Sequence, residues 1–337
     1  MDFNSILYLV AGIYLLIKGA DLFVEGSSAI AKFFKIPALI IGLTLVSIGT
    51  SLPELSVSIT ASINGNNGVS FGNVIGSNIF NILVVVGFSA IFTPMIISKS
   101  MRNYDLPILL GIYVLLALLA FVISPFVLEN WEGILILVLF ILYLVFLVIR
   151  SVLENKNKPS EENNVEVEAN EENEEKRPMI VNIGYVILGV VLIIVGGDLV
   201  VNGATSIATS IGEAFGIEKE KLNLLIGLTV VAVGTSLPEL VTSIVAAKKG
   251  ENEIAIGNAV GSCIFNVLLI LGTASSIFAM PLAGNTYVDI AVMFIAALLL
   301  FVFSFKKLRV NKTQGLVMIV LYVAYLAYAV VTTVIIA

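Results

Sequence analysis

The sequence predicts an all-α polytopic membrane protein: ten transmembrane helices in two inverted five-helix repeats. Three observations carry that expectation. Of 337 residues, 58% are hydrophobic and only 12% charged, about half the charge density of a soluble domain. Apolar runs of about 20 residues recur from end to end, each long enough to cross a hydrocarbon core about 30 Å thick. The chain also repeats itself at a fixed offset of 185 residues.

The runs lie near residues 4–28, 37–62, 70–93, 105–125, 132–150, 180–205, 222–247, 254–279, 286–305 and 313–336. Each is expected to be a helix, because an open strand edge leaves backbone groups unsatisfied in lipid. The first run lacks a basic n-region and a small-residue cleavage site, so it reads as a retained span. Cys263 is the lone cysteine and reads as a small residue packed between helices; no internal disulfide can form. Histidine is absent, which removes Ser/His and Cys/His nucleophiles and histidine zinc sites. No enzymatic activity, cofactor, nucleic acid or obligate protein partner is expected.

Basic residues give the orientation. Fifteen of the eighteen Lys and Arg fall in loops that follow odd-numbered spans; the other loops hold only Lys219 and Lys221, and Lys18 lies inside the first span. The positive-inside rule then puts both termini outside the cell membrane and the long central loop in the cytoplasm.

The repeat is explicit. Ile41–Leu55 reads IGLTLVSIGTSLPEL and Ile226–Leu240 reads IGLTVVAVGTSLPEL. Gly72–Gly87 reads GNVIGSNIFNILVVVG and Gly257–Gly272 reads GNAVGSCIFNVLLILG. Five spans per copy is an odd number, so the second copy enters from the opposite side, an arrangement found in secondary transporters. The chain divides into a first repeat (1–150), an acidic cytoplasmic linker (151–178) and a second, inverted repeat (179–337). The linker carries nine Glu against four basic residues and reads as a solvated, disordered segment.

Fifteen acidic residues lie outside the linker, and of these only Glu54 and Glu239 sit deep inside apolar spans. They are repeat mates. A charge at that depth costs at least about 2.5 kcal/mol and marks function by default. Pro53 and Pro238 each remove a helical N–H next to a Gly-Thr-Ser segment, which predicts a break or kink there. Freed carbonyls, hydroxyls and a carboxylate are oxygen ligands, of which a hard cation such as Ca²⁺ takes six to eight. Thr50, Glu54 and Ser58 are spaced to share one helix face, as are Thr235, Glu239 and Ser243. Asn73, Ser77 and Asn81 form a third stripe, and Asn258, Ser262 and Asn266 a fourth. Gly72, Gly76, Gly257 and Gly261 are expected to let these helices approach closely. Lys18, Asp21 and Glu25 lie near the cytoplasmic end of span one, and Asp198 holds the matching place in span six. They read either as gate charges or as interfacial groups that snorkel and pair. Asp105 and Asp289, repeat mates at span starts, suit the helix dipole.

The GTSLPE segments ending at Glu54 and Glu239, with the GNxxGSxxxN segments ending at Asn81 and Asn266, resemble the two alpha-repeats of the sodium/calcium exchanger family. The likeness covers nearly the whole chain outside the linker. It implies an antiporter that works by alternating access, with the first and sixth helices sliding. It also implies a ligand set. Glu54 and Glu239 would be shared by Ca²⁺ and Na⁺, and Thr50 and Thr235 would add oxygens for Ca²⁺. Ser51 with Ser77, and Ser236 with Ser262, would form flanking Na⁺ sites. Asn81 and Asn266 would line the middle, and the carbonyls of Ser47 and Ala232 would complete the outer sites. Some members carry an aspartate at one central Asn position; here both are neutral, so the cage holds at most a charge of −2. One Ca²⁺ or two Na⁺ neutralise that, whereas a third Na⁺ leaves a net positive charge at a cost. Proton-coupled relatives usually show GNxxE, but Gly76 and Gly261 stand at that place, which favours sodium. An H⁺/Ca²⁺ or other divalent-cation exchanger is the alternative, and a cation channel a more distant one.

Overall fold

The computed structural model describes residues 3–65, 67–156, 177–214, 232–282 and 286–332. Twelve helical segments run through them. The first six are α1 (Phe3–Phe34), α2 (Ala38–Thr50), α3 (Leu52–Ile63), α4 (Asn67–Phe92), α5 (Met101–Ile123) and α6 (Asn130–Lys156). The second six are α7 (Met179–Ala214), α8 (Ala232–Thr235), α9 (Leu237–Lys248), α10 (Asn252–Ile277), α11 (Thr286–Lys307) and α12 (Lys312–Val330). Among the described residues, eight helices are long and apolar enough to span a membrane, and the bent pair α2–α3 makes a ninth. The start of the span expected near 222–247, and most of the acidic linker, lie outside the described residues. The helix α6 runs on to Lys156, into the stretch read as linker, because Arg150 pairs with Glu154 one turn on at 2.9 Å.

The Pro-induced breaks fall where the sequence puts them. The axes of α2 and α3 differ by 50°, and Ser51 stands at the corner with φ −87° and ψ 8°. Ser236 takes the same corner conformation, φ −96° and ψ 6°. Pro53 and Pro238 each fall in the first turn of the helix that follows, where a missing N–H costs nothing. The break corrects one expectation: Thr50 and Glu54 do not share one continuous helix face, because the bend separates them onto α2 and α3. Both α3 and α9 end in a glycine with positive φ, Gly65 (75°) and Gly250 (83°), a conformation only glycine takes freely.

The antiparallel pair α1 and α7 is joined along a glycine seam. Gly12, Gly19 and Gly26 recur every seven residues, as do Gly189, Gly196 and Gly203. A Cβ on Gly12 would stand 2.7 Å from the Gly196 carbonyl oxygen, and one on Gly196 would stand 2.7 Å from the Leu16 amide nitrogen. The two backbones are therefore in contact, as small residues permit in lipid. Ser5 and Ser206 close one end of the seam, with their Oγ atoms 2.7 Å apart.

Short strands tie the remaining loops. β1 (Met95–Ile96) pairs antiparallel with β4 (Arg309–Val310), and β2 (Val127–Leu128) with β3 (Met280–Pro281). The core sits on α4 and α10, the most enclosed helices: the whole run Ile254–Phe265 is buried.

Candidate cation site

The corners at Ser51 and Ser236 and the middles of α4 and α10 meet in the interior. Glu54, Glu239, Asn81, Asn266, Ser77, Ser262, Ser47 and Ser236 are buried at 1% exposure or less, and Thr50, Thr235 and Ser51 at 9% or less. The bends serve this convergence by aiming the corner serines across the molecule. Ser51 Oγ donates to Glu239 Oε1 at 2.8 Å. Ser236 Oγ lies 3.1 Å from Glu54 Oε1 and 3.0 Å from Ser77 Oγ. Ser262 Oγ stands 3.5 Å from Glu239 Oε1.

Two amides behind these contacts hold the corners. Asn73 Nδ2 donates to Ser58 Oγ (2.9 Å) and to the Glu54 carbonyl (3.3 Å). Asn258 Nδ2 makes the equivalent bonds to Ser243 Oγ (3.0 Å) and the Glu239 carbonyl (3.3 Å). Their oxygens accept from the opposite threonines: Thr50 Oγ1 is 3.0 Å from Asn258 Oδ1, and Thr235 Oγ1 is 3.4 Å from Asn73 Oδ1. Asn73 and Asn258 thus brace the site from behind, and the stripe pattern of the sequence had already put them on the correct faces. The Ser47 carbonyl accepts from the Ser51 amide at 3.0 Å and lies 3.4 Å from Thr50 Oγ1. Ala232 opens α8.

The atoms left over define the chemistry. Among the described residues, Glu54 Oε2, Glu239 Oε2, Asn266 Oδ1 and both polar atoms of the Asn81 amide are buried with no hydrogen-bond partner. Buried polar groups are otherwise almost always satisfied, and an unpaired carboxylate oxygen away from water is costly. Among the described residues no Lys, Arg or His stands within salt-bridge distance of either glutamate. Two carboxylates among neutral oxygens suit a hard cation with oxygen coordination.

Sequence reading missed two features. One turn of wider π-helix begins at each central asparagine, Asn81–Val86 and Asn266–Leu271; such turns recur at functional sites. Asn78, on α4, donates to the Cys263 carbonyl (3.3 Å) and accepts from Asn266 Nδ2 (3.0 Å). The signal for it was a mismatch in the repeat, GSN against GSC.

The small-residue expectation is met at Gly257 and Gly261. A Cβ on Gly257 would meet Gly42 Cα at 3.0 Å, and one on Gly261 would meet Ser47 Oγ at 2.8 Å. A Cβ on Gly72 or Gly76 would meet nothing within 4 Å among the described residues. Gly72 is exposed, while its mate Gly257 is buried. The repeat mates of Leu39, Gly42 and Leu43, which pack against Gly257 and Gly261, fall at 224, 227 and 228, outside the described residues.

The charges near the end of α1 pair across the fold. Lys249 Nζ lies 2.8 Å from Asp21 and 3.7 Å from Glu25, and Arg177 also pairs with Glu25. Ser28 donates to Glu251 at 2.5 Å. Asp105 is not merely a helix-dipole acid: it is buried against Arg150 at 2.7 Å. Its mate Asp289 accepts from the Tyr325 hydroxyl at 3.0 Å.

Comparison with known proteins agrees with this picture. The model of the sodium/calcium exchanger protein family matches residues 4–149 and 181–331. The sodium/calcium exchanger MaX1 of Methanosarcina acetivorans is 35% identical over 348 residues, covering 96% of this chain and 97% of its own. The putative antiporter CaxA of Alkalimonas amylolytica is 35% identical over 95% of this chain and 96% of its own. A solved structure of the sodium-calcium exchanger NCX_Mj, soaked with Na⁺ and Sr²⁺, matches with a TM-score of 0.79 at 34% identity, covering 97% of this chain and 99% of that one. The protein is a multi-pass membrane antiporter of cations, not an enzyme. More narrowly, it belongs to the sodium/calcium exchanger family, whose cargo is Na⁺ and Ca²⁺ and which works without a cofactor or a partner protein.

Proposed function

We propose that this chain exchanges Na⁺ for Ca²⁺ across the cell membrane by alternating access, the two ions competing for Glu54 and Glu239. The observation that carries the reading is the pair of buried, unpartnered carboxylate oxygens, one on each side of a crosswise serine bridge. Either ion relieves their desolvation, and both cannot hold the same oxygens at once, so binding one expels the other. Thr50, Thr235, Ser51, Ser236, Ser77, Ser262, Asn81 and Asn266 complete the oxygen cage, with the carbonyls of Ser47 and Ala232 at its outer ends.

Ten spans in two inverted repeats, 1–150 and 179–337 about the cytoplasmic linker 151–178, give this cage its two states. The strand pairs support the symmetry, since exchanging the halves maps β1–β4 onto β3–β2. Both termini lie outside. The Asp21, Glu25, Arg177 and Lys249 cluster then lies at the cytoplasmic end, latching α1 and α7 to the turn between α9 and α10. Alternation between the two states moves α1 and α7 as one unit, joined along their glycine seam.

The test is uptake of radiolabelled Ca²⁺ into proteoliposomes loaded with Na⁺, repeated with a pH gradient and no sodium. Sodium-driven uptake is the expected result. Uptake driven by the pH gradient alone would keep the fold and overturn the choice of coupling ion. Flux that needs no counter-ion would mark a channel instead.

A further inference from the structure

Asn78 stands directly behind the cation site, fully buried where α4 crosses α10. Its repeat mate, 185 positions on, is Cys263, and the two touch. Asn78 Nδ2 donates to the Cys263 carbonyl at 3.3 Å and lies 3.6 Å from Met293 Sδ. Cys263 Sγ points back at the Asn78 carbonyl, at 3.6 Å.

These contacts fix the direction of a chain of amides. A backbone carbonyl only accepts, so the end of Asn78 facing the Cys263 carbonyl must be its NH₂. Its Oδ1 therefore faces the other way and needs a donor. Asn266 supplies one, Nδ2 to Oδ1 at 3.0 Å. The orientation of Asn266 follows: its NH₂ is committed, and its buried Oδ1 is the atom left unpartnered. At Asn81 the equivalent brace would have to come from position 263. A thiol cannot hold an amide as Asn78 does, and both polar atoms of Asn81 have no partner among the described residues.

We infer that Asn78 is a positioning residue for the cation site: it pins the Asn266 amide so that an acceptor oxygen, not an amino group, faces the ion. The two central asparagines then differ in role despite identical side chains. Asn266 is a fixed acceptor, and Asn81 is an amide free to turn. The inference rests on the antiport reading, because it takes the unpartnered Asn266 oxygen to be a ligand for transported Ca²⁺.

The test measures Ca²⁺ affinity of the purified full-length protein, from its thermal stabilisation as Ca²⁺ is titrated, beside sodium-driven Ca²⁺ uptake. Asn78→Leu removes the acceptor at similar volume; Asn78→Ser, too short to reach Asn266, stands in if the leucine variant does not fold. Either is expected to weaken Ca²⁺ binding about threefold to tenfold, the range for one lost neutral hydrogen bond, and to raise the KM for Ca²⁺ more than it lowers kcat. The decisive arm repeats the substitution in an Asn266→Ala background, where there is no amide to pin. There the Asn78 change should have no further effect on affinity. An equal loss in both backgrounds would show that Asn78 acts by packing alone and would overturn the assignment, as would unchanged affinity in the single variant. If the wild-type protein neither binds Ca²⁺ nor exchanges it for Na⁺, the antiport reading fails first and takes the assignment with it.

Discussion

Ser51 Oγ donates to Glu239 Oε1 at 2.8 Å, although 188 residues separate the two in the chain. The reciprocal contact joins Ser236 to Glu54. Each glutamate is thus held by the helix corner of the other half, and each proline break aims a serine at the opposite carboxylate. A rearrangement that moves either corner must disturb both carboxylates, which links the shape of the protein to the ligands of its ion.

Ser51→Ala should lower the apparent Ca²⁺ affinity about tenfold or more, since a hydrogen bond to a charged group is worth about 1.5–3 kcal/mol and about 1.4 kcal/mol is a factor of ten. Ca²⁺ titration of sodium-driven uptake measures this. An affinity within twofold of wild type would mean that the serine bridge is incidental to the site.

The seam between α1 and α7 predicts a sharp positional contrast. Gly196→Leu places a side chain where even a Cβ would lie 2.7 Å from the Leu16 backbone, and should cost about 1–3 kcal/mol through overpacking. A Cβ on Gly184, on the same helix, would meet nothing within 4 Å among the described residues, so Gly184→Ala should be neutral to within about 0.5 kcal/mol. Thermal denaturation in detergent compares the two.

The two ionic clusters should behave in opposite ways. Arg150→Met strands the buried Asp105 carboxylate and should destabilise by about 3–5 kcal/mol, while the double change with Asp105→Leu should recover most of that. Lys249→Ala breaks pairs whose partners are partly exposed, Lys249 at 32% and Asp21 at 42%. It should cost under about 1 kcal/mol of stability, while increasing labelling, from the cytoplasmic side, of a cysteine placed near the site. Melting curves and labelling rates separate these effects.

Much of this was legible in the sequence, for a physical reason. A buried carboxylate, a proline in a span and a stripe of amides are each costly in lipid, so their duplication at one offset stands out against an apolar background. Glu54, Glu239 and the hydroxyls around them were found that way, and the structure brings them together. The bends at Ser51 and Ser236 were anticipated, but their consequence for the shared face of Thr50 and Glu54 was not, because helix periodicity assumes an unbroken axis. The π-turns at Asn81 and Asn266 were missed because nothing in the local composition distinguishes them from α-helix. Asn78 was missed because its role depends on a crossing between α4 and α10 that no spacing rule reports. The glycine seam was visible as a seven-residue recurrence, but α1 and α7 had first to be paired for it to mean anything.

The most direct measurement is sodium-driven uptake of radiolabelled Ca²⁺ by proteoliposomes containing Glu54→Gln or Glu239→Gln, beside the wild-type protein. Each substitution keeps the size of the side chain and the serine contact but removes the charge that both ions need. The account predicts that either one abolishes Ca²⁺ flux. More than half the wild-type rate in either variant would contradict the shared-carboxylate site.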